Sequence, residues 1–317
     1  MATSPVEYFA PRRKAARLLR ACVSRVSRRL RVVCGKCRYL MAHAGFRQSP
    51  AITLCRLLVW KLLCTLGTPA TVILHPWKIR FYLPPQWHGA GTTMIYALRG
   101  NYELELIHWS RFLSPGMIVI DGGASCGIYT TVAAKLVGPD GLVLSFEPGA
   151  ESFYALKRNV RINHFENVRT FRAALSDNEG KATLYHHDGP NSFSLGHPDT
   201  PGVVSEEVVT CTLSRVVHEE TCSPVGMIKL DVEGAEELVL RGAEAIIAFS
   251  RPTILFEMNG VAAKRLGLSP WGAWQLLQGF GYRFFSMRQQ GELCLLNHPP
   301  ATDDIVNVVA IHGEQPE

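Results

Sequence analysis

An apolar run, Met117-Ile118-Val119-Ile120, stops at Asp121 and passes directly into Gly122-Gly123-Ala124-Ser125-Cys126-Gly127 before a helical pattern opens at Ile128. A strand delivered into a helix through a glycine-rich turn restricts the chain to α/β architectures. Glycines there let the backbone pass close under a ligand, and Gly127 lets helix and strand pack tightly. After the next apolar run stands Glu147, twenty residues beyond Gly127, where a carboxylate can accept both hydroxyl hydrogens of a ribose. The expectation is an adenosine-containing ligand at the carboxyl edge of a sheet. Read as a dinucleotide fingerprint, the loop is Gly122-x-Ala124-x-x-Gly127 and lacks its second glycine.

The surrounding pattern predicts a doubly wound sheet. Strand-like runs at 117–120, 142–146, 168–173, 208–212, 227–230 and 253–256 alternate with helical patterns at 128–135, 152–163 and 236–248. Runs at 282–287, 293–296 and 305–311 follow one another with no helix-length insert, which requires antiparallel pairing at the end. Two short β-rich runs, 71–74 and 78–83, read as a hairpin leading into the main domain. The fold class is therefore α/β: Rossmann-like, doubly wound and mostly parallel, with an antiparallel C-terminal strand.

Charge divides the chain unevenly. Residues 1–61 hold 14 of the 33 Lys+Arg but only Glu7 of the 27 acids, a net +13, which leaves −7 on the remainder. That remainder is an ordinary enzyme surface and a poor nucleic-acid binder. Within 11–33, Leu18, Leu19, Cys22, Val23, Val26, Leu30 and Val33 recur at spacings of three and four between arginines, the pattern of a cationic amphipathic helix. Four readings stand: peripheral contact with an anionic membrane, an organelle transit peptide, sequence ahead of a later start such as Met41, and a solvated helix. The expected organisation is a basic extension over 1–66 and a catalytic domain over 67–317 of a cytoplasmic chain. Nine scattered cysteines form no disulfide framework, and Cys34-Gly-Lys-Cys37 has no second pair to complete a zinc site.

From Tyr102 to Ile311 the chain resembles the FkbM-type family of S-adenosylmethionine-dependent methyltransferases. The elements that carry the resemblance stand in order. They are Tyr102-Glu103, Asp121 to Gly127, Phe146-Glu147-Pro148, Leu156-Lys-Arg-Asn159 with Asn163, Ala173-Ala-Leu-Ser-Asp177, and Lys229-Leu-Asp231-Val-Glu233-Gly234-Ala-Glu236. Gly242-Ala243 and Arg251-Pro252, leading to Glu257, complete the series. Where the family usually has Asn, this chain has Ser125. The resemblance implies S-adenosylmethionine as cofactor and methyl transfer to a hydroxyl of a sugar, glycolipid or secondary metabolite.

Candidate cofactor residues follow. Glu103 and Asp121 can receive the methionine amino group or nearby water, Gly123, Ser125 and Gly127 form the loop, Glu147 holds the ribose, and Asp177 can accept from the adenine amine. Asp231, Glu233 and Glu257 are the candidate catalytic carboxylates, placed where strands of open α/β sheets end. Asp231 or Glu233 can accept the acceptor's proton, with Lys229 tuning them. Asp231 with Glu257 could hold Mg²⁺, but nothing demands a metal and none is assigned. The segment 185–202, with His186, His187, Asn191, Ser192 and His197, is a candidate lid or acceptor loop. Two other functions compete: a nicotinamide-dependent oxidoreductase on the same strand, loop and acid, and a non-enzymatic membrane-associated protein on a methyltransferase fold.

Overall fold

The computed structural model describes residues 40–41, 43–87, 91–102, 104–186, 193–196, 203–288 and 290–313. The arginine-rich pattern at 11–33, Cys34 and Cys37, and Glu103 lie outside the described residues, as do His187, Asn191, Ser192 and His197.

The expected hairpin is present, with β1 (Ala70–Leu74) antiparallel to β2 (Ile79–Leu83). Next come β3 (Ile118–Gly122), β4 (Leu142–Phe146) and β5 (Val168–Phe171), then four strands of a separate small sheet: β6 (Ala174–Leu175), β7 (Gly180–His186), β8 (Phe193–Ser194) and β9 (Ser205–Cys211). The chain returns through β10 (Val225–Leu230) and β11 (Thr253–Asn259) and closes with β12 (Tyr282–Met287), β13 (Leu293–Leu296) and β14 (Ile305–His312). The main sheet has eight strands in the order β13-β12-β14-β11-β10-β3-β4-β5. Its centre is parallel, and β14 lies between β11 and β12, antiparallel to both. This is the doubly wound, mostly parallel sheet with an antiparallel end that the pattern predicted.

Burial explains the near-continuous apolar strands. Ile118, Ile120, Leu144, Phe146, Ile228 and Leu230 face one core, and Val119, Val143, Met227, Leu255 and Val309 face the other. A central parallel strand covered on both sides has no solvent face to alternate toward. Two expected elements are split. The run at 168–173 ends at Phe171, and Ala174–Leu175 pairs in parallel with β9 in the small sheet instead. The helix expected at 236–248 becomes Glu236–Arg241 and Glu244–Ser250, because Gly242 meets the 176–177 backbone; a Cβ there would stand 2.2 Å from the Ser176 carbonyl oxygen.

The chain divides into compact units of residues 1–53 and 54–317, so most of the helix Pro50–Thr65 belongs with the larger unit. The reason is Trp60, on the helix Pro50–Thr65. Its side chain is fully buried, stacked on Tyr96 at 4.7 Å between ring centres, and its indole N–H donates to Thr93 Oγ1 at 2.9 Å. Arg56 Nη1 donates to the carbonyl of Ala97 at 3.2 Å. Removing a buried tryptophan costs about 3–5 kcal/mol, so Trp60→Ala should lower the urea midpoint sharply, and a chain starting at Thr68 should be less stable than one starting at Leu54. Equal midpoints for wild type and Trp60→Ala would remove this helix from the core.

Candidate functional site

At the carboxyl ends of β3 and β10, Asp121 and Lys229 stand opposite each other in register. Lys229 is 5% exposed. Its Nζ lies 3.6 Å from Asp121 Oδ1 and 3.6 Å from Asp231 Oδ2, donates to the Gly123 carbonyl at 3.2 Å, and sits 4.9 Å from the centre of the Tyr129 ring. Asp121 is turned inward: its Oδ2 accepts from Thr130 Oγ1 at 2.6 Å, and it does not line the cavity beyond. A protein cation therefore stands beside the acid expected to meet the methionine amino group.

A cavity of about 300 Å³ opens above this layer. The glycine-rich turn forms its floor. Gly123 has φ +74°, and a Cβ on it would stand 1.8 Å from the Asp231 carbonyl oxygen, so only glycine lets the two strand ends approach. Ser125 takes φ +50°, which points its amide at Glu147 Oε2 (2.8 Å), while the Gly149 amide donates to Oε1 (2.9 Å). Gly127, at φ +91°, caps the helix Ile128–Val137 and packs against Leu156 without lining the cavity. Each Glu147 oxygen receives one backbone donor and retains capacity for another. Ala173, Leu175, Leu184 and Leu195 supply an apolar wall from the small sheet and the segments flanking it, which the sequence pattern did not anticipate.

Asp231, Glu233 and Glu257 line the same cavity, so all three candidate catalytic carboxylates converge with Glu147. Burial pushes Glu147 up to about 7 against the pull of its two amides. Burial, then repulsion from Asp231, raises Glu233 to about 7 and Glu257 to about 8, with Glu233 adding to the latter. Glu236 lies behind them, its Oε1 accepting from the amides of Val232 (3.1 Å) and Gly234 (3.4 Å), and burial lifts it to about 7. Its role in bracing the turn was signalled by the Glu-Gly-Ala-Glu string alone.

Asp177 is not brought to the site. It follows β6 in the small sheet, is exposed, and accepts from Ser176 Oγ and Asn178 Nδ2. The expectation that it ends the third strand is corrected by the split after Phe171. Tyr102, Tyr129 and Val232 line the cavity without having been named as candidates. Among the described residues, no group of three or more His, Cys, Asp and Glu is arranged to hold a metal ion.

Residues 121–284 match the methyltransferase FkbM domain, just over half of the chain. The chain belongs to the FkbM methyltransferase family. It is 30% identical over 161 residues to the 31-O-demethyl-FK506 methyltransferase FkbM of Streptomyces tacrolimicus, covering 42% of this chain and 61% of that protein. It is 25% identical over 170 residues to Methyltransferase 1 of Beauveria bassiana strain ARSEF 2860, covering 45% and 68% respectively. A crystal structure of a methyltransferase FkbM from Methylobacillus flagellatus KT is similar at a TM-score of 0.40 and 12% identity, over 81% of this chain and 59% of that one. Family membership makes this an S-adenosylmethionine-dependent methyltransferase domain and decides against the nicotinamide reading of the same loop.

The raised carboxyls tie stability to pH. Each binds its proton more tightly folded than unfolded, so its favourable contribution is complete below the ordinary carboxylate range and is lost as pH rises through about 7 for Glu147, Glu233 and Glu236 and about 8 for Glu257. The ligand-free chain should therefore lose stability between about pH 5 and about pH 8, and Glu257→Gln should flatten the upper part of that decline. A urea midpoint that stays level across this window for the wild type would contradict the burial of these groups.

Proposed function

We propose that this chain transfers the methyl group of S-adenosylmethionine to the oxygen of a hydroxyl on a sugar, glycolipid or secondary metabolite. The observation that carries the reading is the convergence of Asp231, Glu233 and Glu257 on the cavity floored by the Gly123–Ser125 turn and Glu147. The residues present suit the cofactor: a buried carboxylate with spare acceptor capacity for ribose hydroxyls, an apolar wall for the base, and acidic groups facing a cationic ligand. When bound, S-adenosylmethionine supplies an electrophilic methyl on a positively charged sulfur. The relative from Streptomyces tacrolimicus is named for methylation at an oxygen, which supports the same acceptor chemistry here.

Displacement at such a methyl depends on alignment and on a place for the hydroxyl proton, and needs no covalent enzyme intermediate. Asp231, its carboxylate beside the Lys229 ammonium and its side chain 45% exposed, is open to an incoming acceptor. Asp231 takes up the hydroxyl proton, and Glu233 and Glu257, raised by burial and by repulsion from Asp231, line the same cavity as groups that can receive it onward. Lys229 keeps Asp231 oriented, and Tyr129 shields the ammonium from water.

Two substitutions separate binding from chemistry. Glu147→Ala removes two hydrogen bonds to a charged acceptor and should cost about 2–4 kcal/mol of affinity for S-adenosylhomocysteine by calorimetry; equal binding would dissociate this acid from the ribose. Asp231→Asn should leave that affinity within a few-fold while lowering turnover by roughly 10² or more. Unchanged turnover would move the proton acceptor to Glu233 or Glu257.

A further inference from the structure

The helix Pro50–Thr65 has two apolar sides from Leu54 onward, and only one of them is used. Trp60 and Arg56 tie the inner side to the helix Thr92–Leu98 through the contacts to Thr93, Tyr96 and Ala97. On the outer side Leu54, Leu58 and Leu62 recur every four residues, continued by Leu66 just past the helix end, each at least half exposed, with Val59 beside them. Four leucines in one line are unlike the other exposed apolar side chains among the described residues. Tyr154, Phe249 and Ile305, for example, sit singly on separate elements. Scattered residues need no explanation, whereas a continuous stripe on a soluble surface marks a contact.

We infer that this stripe seats the protein on an anionic lipid surface. Charge selects the occupant: the chain up to Lys61 carries 14 basic residues against the single acid Glu7, and a negative bilayer is the partner that satisfies both an apolar stripe and a cationic approach. The 16-residue helix is about 24 Å long at ~1.5 Å per residue, short of the ~30 Å apolar core of a bilayer. No helix among the described residues is long and apolar enough to cross a membrane. The helix therefore lies along the surface, leucines in the headgroup boundary and Lys61, exposed and 4.7 Å from the Trp87 ring centre, at phosphate level. Neither the cavity nor its carboxylates take part, so the contact stands whatever the acceptor is.

Sedimentation of the full chain with phosphatidylcholine vesicles containing about one-quarter phosphatidylserine, against phosphatidylcholine alone, tests this. The wild type should bind the anionic vesicles and be released by salt. The double variant Leu58→Ser, Leu62→Ser should bind at least about tenfold more weakly, with unchanged thermal midpoint and S-adenosylhomocysteine affinity, because both side chains are exposed. A Leu62→Trp variant should gain fluorescence quenching by brominated lipid over the wild-type background. Equal vesicle binding by the double variant, or no added quenching, would overturn the assignment. So would a wild-type dimer that ignores vesicles and becomes a monomer in the double variant, since the stripe would then be an interface between copies.

Discussion

A buried ammonium governs the site. Lys229 emerges from the middle of the sheet with almost no access to water, and its charge must be answered within reach of Nζ. Asp121 on β3, Asp231 after β10 and the Gly123 carbonyl provide that answer from two adjacent strand ends. Breaking such a set by removing one partner typically costs about 3–5 kcal/mol, because the remaining charge stays buried. The two ends must then lie close together, and the 1.8 Å between a notional Gly123 Cβ and the Asp231 oxygen measures how close. Turn, strand end and cavity floor are consequences of one requirement.

The same requirement distributes charge across the cavity. Lys229 answers Asp121, which faces inward, and only shares Asp231, which faces the cavity. Among the described residues no cation lies within ion-pair distance of Glu233 or Glu257, and burial beside Asp231 leaves protonation as their route to neutrality. A cationic ligand offers another route, so the cavity is better suited to a positive group than to a neutral one. The apolar side comes from Leu184 on the small sheet and Leu195 just beyond β8, and that sheet is itself pinned to the catalytic half where Gly242 meets Ser176.

Much of this was legible in the residues, and what was not has identifiable causes. The strand, glycine turn and helix at 117–130, the acid at Glu147 and the antiparallel ending are local patterns, and each is realised where the pattern lay. The small sheet was not legible, because β6 is two residues long and pairs with β9, more than thirty residues later. Periodicity cannot register a partner at that distance. Trp60 was hidden by an apolar segment that looks alike on both sides until tertiary contacts choose one. The partner of Asp121 was not legible because a carboxylate at a strand end suits a ligand cation and a protein lysine equally, and only three dimensions show that Lys229 is opposite.

Backbone conformation bears on Ser125, one of two loop positions that depart from the pattern of the family, the other being Cys126 in place of a branched apolar residue. Ser125 and Glu233 both adopt left-handed backbone, at φ +50° and +54°, and both lie on the cavity beside the strand ends that Lys229 joins. Glycine would relieve that strain but would delete the Glu233 carboxyl, so in the turn after β10 the side chain outweighs the backbone cost of about 1–3 kcal/mol. At Ser125 the contribution to the site is the amide donated to Glu147, which any residue can supply once the left-handed turn is made. Asn enters that region more readily than Ser, because its short amide can bond locally. Ser125 thus keeps the hydrogen bond that orders Glu147 while accepting a less favoured conformation, and the position is constrained by its φ angle more than by the reach of its hydroxyl.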